Sequence, residues 1–224
     1  HAHMDHMGGV AFHAATRGLM HMTPPTYVVG PECAEALDGF LVAARRLDRS
    51  DLACTILPIG PGGEHLLSKN RVVKPFRSVH VVPTQGYGIW ERRQKLKDAY
   101  KSLEGEQLRR LKANGEVITE EVDFPLVAFS GDTRIDLVER EEVVRKAKLL
   151  ILECTFIDDR VSVQMARKSG HVHLYELAER AELFENEQIL LTHFSARFNA
   201  DEIRKALDKH LPPGLRERVV PLLN

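Results

Sequence analysis

The chain opens with HAHMDHMGG, residues 1–9, a stretch in which candidate metal ligands are dense. His1, His3, Asp5 and His6 occupy four of the first six positions, which is too dense for a helix that packs into a core. Imidazole nitrogens and carboxylate oxygens suit Zn²⁺, at bond lengths of about 2.0–2.2 Å. In a loop after a strand, the first two histidines can face one point while the other two side chains turn toward a second. The stretch therefore predicts a metal site with two centres.

The alternative interpretation of this stretch is the remnant of a polyhistidine tag. A tag does not usually carry an aspartate and a Gly-Gly pair in register. It would also leave the histidines and aspartates further along the chain unexplained. The sequence therefore favours the metal site.

Beyond this stretch, apolar runs alternate with segments of helical periodicity. In residues 33–47, for example, apolar side chains recur at intervals of three and four, as on one face of an amphipathic helix. Strands that alternate with helices predict an α/β layered fold. The pattern predicts helices at 9–20, 33–47, 91–113, 136–147, 172–183 and 200–210, and strands at 23–31, within 51–80, and at 126–133, 148–156, 188–194 and 218–223.

Three further polar side chains stand at the ends of predicted strands. Asp132 and His193 each follow a buried apolar run, and His80 ends another. The carboxyl ends of strands are where α/β sheets present their chemistry. These positions are therefore candidates for the functional site.

The composition limits the class of protein. With 43% hydrophobic and 28% charged residues in 224, the chain can build a core and has no signature of disorder. A formal net charge of -1 gives no global basic field, so binding of a polyanion would need a local patch. Three widely spaced cysteines indicate a reducing compartment. No membrane-spanning run or signal peptide is visible, so we expect a cytoplasmic protein with no membrane partner.

The opening stretch resembles the HxHxDHxGG signature of the metallo-β-lactamase superfamily, and later segments resemble its ribonuclease Z branch. The resemblance implies an α/β fold of the four-layer αββα type. It implies a single domain over residues 1–224, N-terminally truncated, with the first strands missing from this chain. The later matching segments, in family order, are SVHVVPTQGYGI (78–89), FSGDT (129–133), LECTF (152–156), SGHVH (169–173) and LTHFSARF (191–198).

Carried over by position, the resemblance implies two Zn²⁺ per chain, although His and Asp ligands also accept Mn²⁺ or Fe. Two cations about 3.5–4 Å apart lower the pKa of a bridging water and clamp an in-line phosphoryl displacement. The nucleophile would be the resulting bridging hydroxide. The implied ligands are His1, His3 and His80 for one ion, Asp5, His6 and His193 for the other, and Asp132 as the bridge.

The resemblance also implies three catalytic residues. Asp5 would orient the nucleophile or take its proton. His171 would donate a proton or hydrogen bond to the departing oxygen, and Glu153 would orient its imidazole. An ordinary loop histidine and a solvated carboxylate remain the alternatives for these last two. Arg197 could bind a substrate phosphate or form a structural salt bridge.

The chain departs from the ribonuclease Z pattern in the insertion that usually binds tRNA. Only 42 residues separate Tyr87 from Ser130, which is short for that arm. We predict a shortened basic arm within residues 91–115, because basic residues outnumber acidic ones eight to four in 91–113. This segment either holds RNA phosphates or is a solvated helix face.

Two further departures lie near the implied proton donor. Leu152 replaces the first histidine of the family's HEAT segment, and Val172 and His173 replace the serines that usually follow His171. Enzymes of this superfamily act on different substrates with the same metal core, so the fold does not decide the substrate.

Three functions are compatible with these residues. The first is a metal-dependent phosphodiesterase similar to ribonuclease Z, acting on a phosphodiester or RNA substrate. The second is a hydrolase of small esters, lactones or thioesters, which the short arm and the near-neutral charge favour. The third, a non-catalytic domain with structural metals, is disfavoured because every candidate ligand is retained. The resemblance also implies a homodimer.

Overall fold

A computed structural model describes residues 1–223 of the chain. The strands that it contains form one two-stranded and one seven-stranded sheet. Their bounds are β1 (Thr26–Val29), β2 (Thr55–Pro58), β3 (His65–Ser68), β4 (Arg71–Arg77), β5 (Gln85–Leu96), β6 (Thr119–Phe129), β7 (Leu149–Glu153), β8 (Gln188–Thr192) and β9 (Val219–Pro221).

Helices precede and separate these strands. The α-helices are α1 (Met4–Met7), α2 (Val10–Leu19), α3 (Pro31–Asp48), α4 (Gly105–Ala113), α5 (Asp136–Arg140), α6 (Glu142–Lys146), α7 (Val163–Ser169), α8 (Leu174–Glu179), α9 (Ala200–His210) and α10 (Pro213–Arg216). In the part of the chain that the structure describes, no helix is both long and apolar enough to cross a membrane.

The large sheet has the strand order β3-β4-β5-β6-β7-β8-β9. The pairs from β3 to β6 are antiparallel, and those from β6 to β9 are parallel. Parallel neighbours need a crossover connection, which the helices between β6 and β9 provide. The mixed sheet confirms the predicted α/β class.

The two sheets lie between two layers of helix. Leu37 and Leu41 of α3 pack with Val29 against the small sheet. The large sheet contacts the small sheet at the free edge of β1, where the hydroxyl of Tyr87 on β5 donates a hydrogen bond to the carbonyl of Val28, at 2.8 Å. Buried side chains of β6 to β9 form the main core with helices α5 to α10. The layers therefore run helix, sheet, sheet, helix.

The helix predicted over residues 91–113 is wrong in its first part. Residues up to Leu96 continue β5 and pair with β6. Arg92 of β5 donates to the carboxylate of Asp123 on β6, with Nε 2.8 Å from Oδ1. Cross-strand pairs of this kind outweigh a local helix preference. The rest of the segment is helical in part, with a 3-10 turn at Asp98–Tyr100 and α4 at the far end of the β5–β6 hairpin.

Other predicted bounds shift by a few residues. The helix at 136–147 is broken at Glu141, whose backbone is extended. The helix at 172–183 begins only at α8, because His173 is extended and its side chain accepts a hydrogen bond from the backbone N–H of Tyr175. His80 lies in the loop after β4 rather than at the strand end. The opening stretch is not wholly a loop, since Asp5 lies on α1.

Candidate metal centre

Four segments of the chain bring the seven predicted metal ligands together. The strands β6 and β8 run in the same direction, so the side chains that follow them lie at the same edge of the sheet. The opening segment and the loop after β4 approach this edge. The positions are His1 and His3 before α1, Asp5 and His6 on α1, His80 between β4 and β5, Asp132 after β6, and His193 after β8.

Asp132 lies in the middle of the cluster, with a buried side chain. Its Oδ2 is 3.2 Å from Nε2 of His6 and 3.6 Å from Nε2 of His1. The same oxygen is 4.0 Å from Nε2 of His80, and Oδ1 is 3.4 Å from Nε2 of His193. One carboxylate therefore contacts imidazoles from both predicted groups of ligands.

The predicted ligands form two groups whose ligand atoms lie within 4.8 Å of one another, and His171 forms a third such group with Asp132 and His193. One group is His1, His3, His80 and Asp132, and the other is Asp5, His6 and His193. In the second group, Oδ2 of Asp5 is 3.6 Å from Nε2 of His6 and 3.9 Å from Nε2 of His193. The Asp5 side chain is 68% exposed, which leaves it open to a substrate.

The donor atoms fit a divalent cation. Nδ1 of His80 is 2.9 Å from the carbonyl oxygen of Gly170 and donates to it, which leaves Nε2 with a lone pair. That buried Nε2 has no hydrogen-bond partner among residues 1–223. Burial holds the pKa of His80 below its ordinary value despite the hydrogen bond to Gly170, and this favours the neutral imidazole that ligates metals.

Neighbouring histidines stabilise the negative charge of Asp132. Burial alone would raise the pKa of this carboxyl group. The hydrogen bond with His6 and the proximity of His193 and His171 outweigh burial and lower the pKa. An ionised carboxylate that touches both groups of donors is suited to binding cations.

The surrounding structure holds His193 in a strained backbone conformation at the edge of the sheet. Its φ of 62° lies in the left-handed region, which costs a non-glycine residue about 1–3 kcal/mol. Such residues cluster at functional sites, where the surrounding structure enforces the conformation. Here the conformation occurs directly after β8, where the imidazole meets Asp132.

The structure places the predicted catalytic residues His171 and Glu153 in direct contact. Nδ1 of His171 donates to Oε1 of Glu153, at 2.9 Å, and Glu153 is buried. Burial would lower the pKa of His171, but its hydrogen bond to Glu153 and the nearby carboxylates raise the pKa above its ordinary value. Glu153 is therefore not a solvated carboxylate at a strand end.

An open groove of about 570 Å³ borders the cluster on this side. Arg197 lines it with an exposed side chain that makes no ion pair within residues 1–223. The structural salt bridge considered for Arg197 is therefore not formed there. The groove is also lined by Thr155, Phe156, Ser169, His171 and His193.

Sequence reasoning assigned no role to Thr155 or Gly170. The hydroxyl of Thr155 contacts both His171 and His193. Gly170 has a φ of 84°, and a Cβ there would lie 2.6 Å from Nδ1 of His80. The available signals were the position of Gly170 before a histidine and the position of Thr155 within LECTF, a segment that matches a family motif.

Comparison with known proteins assigns the chain to a family. The model of the beta-lactamase superfamily domain matches residues 1–194. A tRNase Z of Arabidopsis thaliana, TRZ1, is 43% identical over 224 residues, which cover 99% of this chain and 80% of that protein. The chain belongs to the tRNase Z branch of the beta-lactamase superfamily. The predicted family and the predicted metal-dependent hydrolase class are thereby confirmed, and the family binds divalent metal.

One more relative and two solved structures are also similar to the chain. The chloroplastic TRZ2 of Arabidopsis thaliana is 37% identical over 224 residues. The match covers 99% of this chain and 63% of TRZ2. Human tRNase Z, short form, has a similar fold at a TM-score of 0.58 and 20% identity, covering 100% of this chain and 74% of that one. YhfI of Bacillus subtilis gives a TM-score of 0.59 at 15% identity, over 99% and 71% of the two chains. These structures confirm the metallo-β-lactamase fold.

Proposed function

We propose that this tRNase Z-like chain hydrolyses phosphodiester bonds in precursor tRNA with two divalent cations, Zn²⁺ being the first choice. The observation that carries the proposal is the contact of Asp132 with imidazoles of both donor groups. When bound, two cations would stabilise charge on the phosphoryl oxygens and lower the pKa of a water molecule. The similar proteins named tRNase Z support RNA as the substrate. The predicted homodimer stays a prediction.

Three side chains around the cluster can transfer protons or bind the substrate phosphate. Asp5, exposed beside His6 and His193, can accept the proton of the attacking water. His171, held by Glu153, can donate a proton to the departing oxygen. Arg197 in the groove can hold a substrate phosphate through two parallel hydrogen bonds.

The test is hydrolysis by the metal-loaded protein of two substrates, precursor tRNA and bis(p-nitrophenyl) phosphate. We expect cleavage of both. Cleavage of the small diester alone would reduce the function to a phosphodiesterase of small substrates. If neither is cleaved, the proposal is wrong.

The second candidate, a hydrolase of small esters, lactones or thioesters, is favoured by the near-neutral charge of the chain and by the short insertion. A panel of these compounds, run beside the two phosphodiesters, separates the candidates. Turnover of an ester or lactone at a higher kcat/KM than either diester would favour the second candidate.

We also propose that residues 91–115, the shortened basic arm, contact the RNA backbone. The segment continues the β5–β6 hairpin and ends in α4. Arg109 and Lys112 of α4 are exposed and make no ion pair in the described residues, whereas Arg110 pairs with Glu106 at 2.6 Å. Unpaired exposed cations are available to phosphates.

The double variant Arg109→Glu/Lys112→Glu is expected to raise the KM for precursor tRNA by about tenfold. The KM for bis(p-nitrophenyl) phosphate should not change. Each lost phosphate contact should also reduce the slope of log affinity against log salt by about 1. The control is Lys205→Glu/Lys209→Glu, the same charge change on α9. An equal loss with both double variants would show a general charge effect and no role for the arm.

A further inference from the structure

The Thr155 hydroxyl joins three side chains of the site. It is 2.8 Å from Oε2 of Glu153, 2.9 Å from Nδ1 of His193 and 3.2 Å from Nδ1 of His171. Thr155 is only 7% exposed, so water has little access to these contacts. Its backbone N–H also donates to Oε2 of Glu153, at 3.0 Å. The residue is therefore held against the carboxylate at two points.

The groups around the Thr155 hydroxyl determine to which of them it donates its proton and from which it accepts one. A carboxylate can only accept, so the single hydroxyl proton of Thr155 is donated to Glu153. The hydroxyl oxygen then has lone pairs left, and it accepts from Nδ1–H of His193. His193 must consequently carry its proton on Nδ1.

This assignment leaves a lone pair on Nε2 of His193. The atom faces the cluster, 3.4 Å from Oδ1 of Asp132 and 3.9 Å from Oδ2 of Asp5. A neutral imidazole binds a metal through its unprotonated nitrogen while the other nitrogen donates to a neighbouring acceptor. Thr155 therefore selects the tautomer of His193 that can ligate.

The same carboxylate also orients the proposed proton donor. Oε1 of Glu153 accepts from Nδ1–H of His171 at 2.9 Å and from the backbone N–H of Thr133 at 3.1 Å. The rings of His171 and His193 stack with centroids 5.4 Å apart. Glu153 thus orients the imidazole of His171 directly and that of His193 through the Thr155 hydroxyl.

We propose that Thr155 is a positioning residue that holds His193 in its metal-binding tautomer and couples it to the Glu153–His171 pair. The inference rests on the proposed function, because it concerns the cation that Asp5, His6 and His193 would hold. Loss of a hydrogen-bond partner behind a metal ligand typically weakens metal affinity by about 10–100-fold. The loss should affect this ion and spare the ion at His1, His3 and His80.

Two substitutions separate the hydroxyl from the shape of the side chain. Thr155→Val keeps the shape and removes the hydroxyl, whereas Thr155→Ser keeps the hydroxyl and removes the methyl group. We titrate each metal-stripped protein with Zn²⁺ by calorimetry, after checking the fold by circular dichroism. Thr155→Val is expected to weaken the binding of one of the two Zn²⁺ ions by about 10–100-fold. Thr155→Ser should bind both ions with nearly the original affinities.

A measurement on the unaltered protein keeps the proposal testable if Thr155→Val does not fold. Nitrogen-15 NMR of the zinc-loaded protein should show His193 protonated at Nδ1, with its signal assigned from its loss in His193→Ala. A His193 protonated at Nε2 would overturn the proposal, as would unchanged zinc affinities in Thr155→Val. An equal weakening in Thr155→Ser would assign the effect to packing and also contradict it. Since both readouts are independent of RNA cleavage, failure of the proposed function can be told apart from failure of this inference.

Discussion

Asp132→Ala is expected to abolish paired metal binding and hydrolysis together. The carboxylate lies within 4.0 Å of imidazole nitrogens from both donor groups, so its loss removes a ligand from each. We expect metal content to fall from two ions per chain to one or none, as measured by elemental analysis. Loss of charge stabilisation worth about 4 kcal/mol corresponds to a rate reduced by about 1000-fold or more.

The control for this prediction is Asp38→Ala, which removes an exposed carboxylate of α3 far from the cluster in sequence. It should retain both ions and full activity. Thermal unfolding of the two variants would show whether Asp132→Ala is folded at the assay temperature. A folded Asp132→Ala protein that keeps two ions per chain would contradict the bridging role.

Much of the sheet could be predicted from the sequence because its signals are local. The runs before Asp132 and His193 are apolar over several consecutive residues, which predicts strands, and Ala128 of β6 and Leu191 of β8 are buried in the core. The predicted bounds of α9 are met because Asn199 and Glu202 form a capping box at its start. Residues 91–96 could not be assigned in this way. Their strand state depends on partners such as Asp123, which lie on another strand.

In the candidate site too, some residues could be predicted from the sequence and others could not. The proposed ligands occupy recognisable motifs, so sequence was enough to nominate them, and the structure brings their side chains together. Thr155 differs because its significance lies in contacts with His171 and His193, which are distant in sequence. A threonine two residues after Glu153 has no local property that predicts such contacts. Only the arrangement of β7 beside β8 and the loop before α8 creates them.

His171→Ala is expected to retain both metal ions and to lower kcat for RNA by about 10²–10⁴-fold, because it removes the proposed general acid. Its Nδ1 is bound to Glu153, so the ring presents Nε2 as the proton donor. A ribose oxygen needs that proton on leaving, whereas p-nitrophenolate is a stable anion. The loss should therefore be much smaller with bis(p-nitrophenyl) phosphate. Measuring kcat for both substrates beside elemental analysis tests all three expectations.

The pH dependence supplies an independent check of the same role. The pKa of His171 is raised, with Glu153 as the main cause of the increase. A reaction that needs the protonated imidazole is fastest below this pKa and slows as pH rises through it. Glu153→Gln removes the carboxylate charge and should move the fall in rate to lower pH, while His171→Ala should remove it. The control is His65→Ala, a histidine of edge strand β3, which should keep the original profile. An unchanged RNA rate in folded His171→Ala would rule out the general-acid role and leave the metal cluster as the whole of the catalytic site.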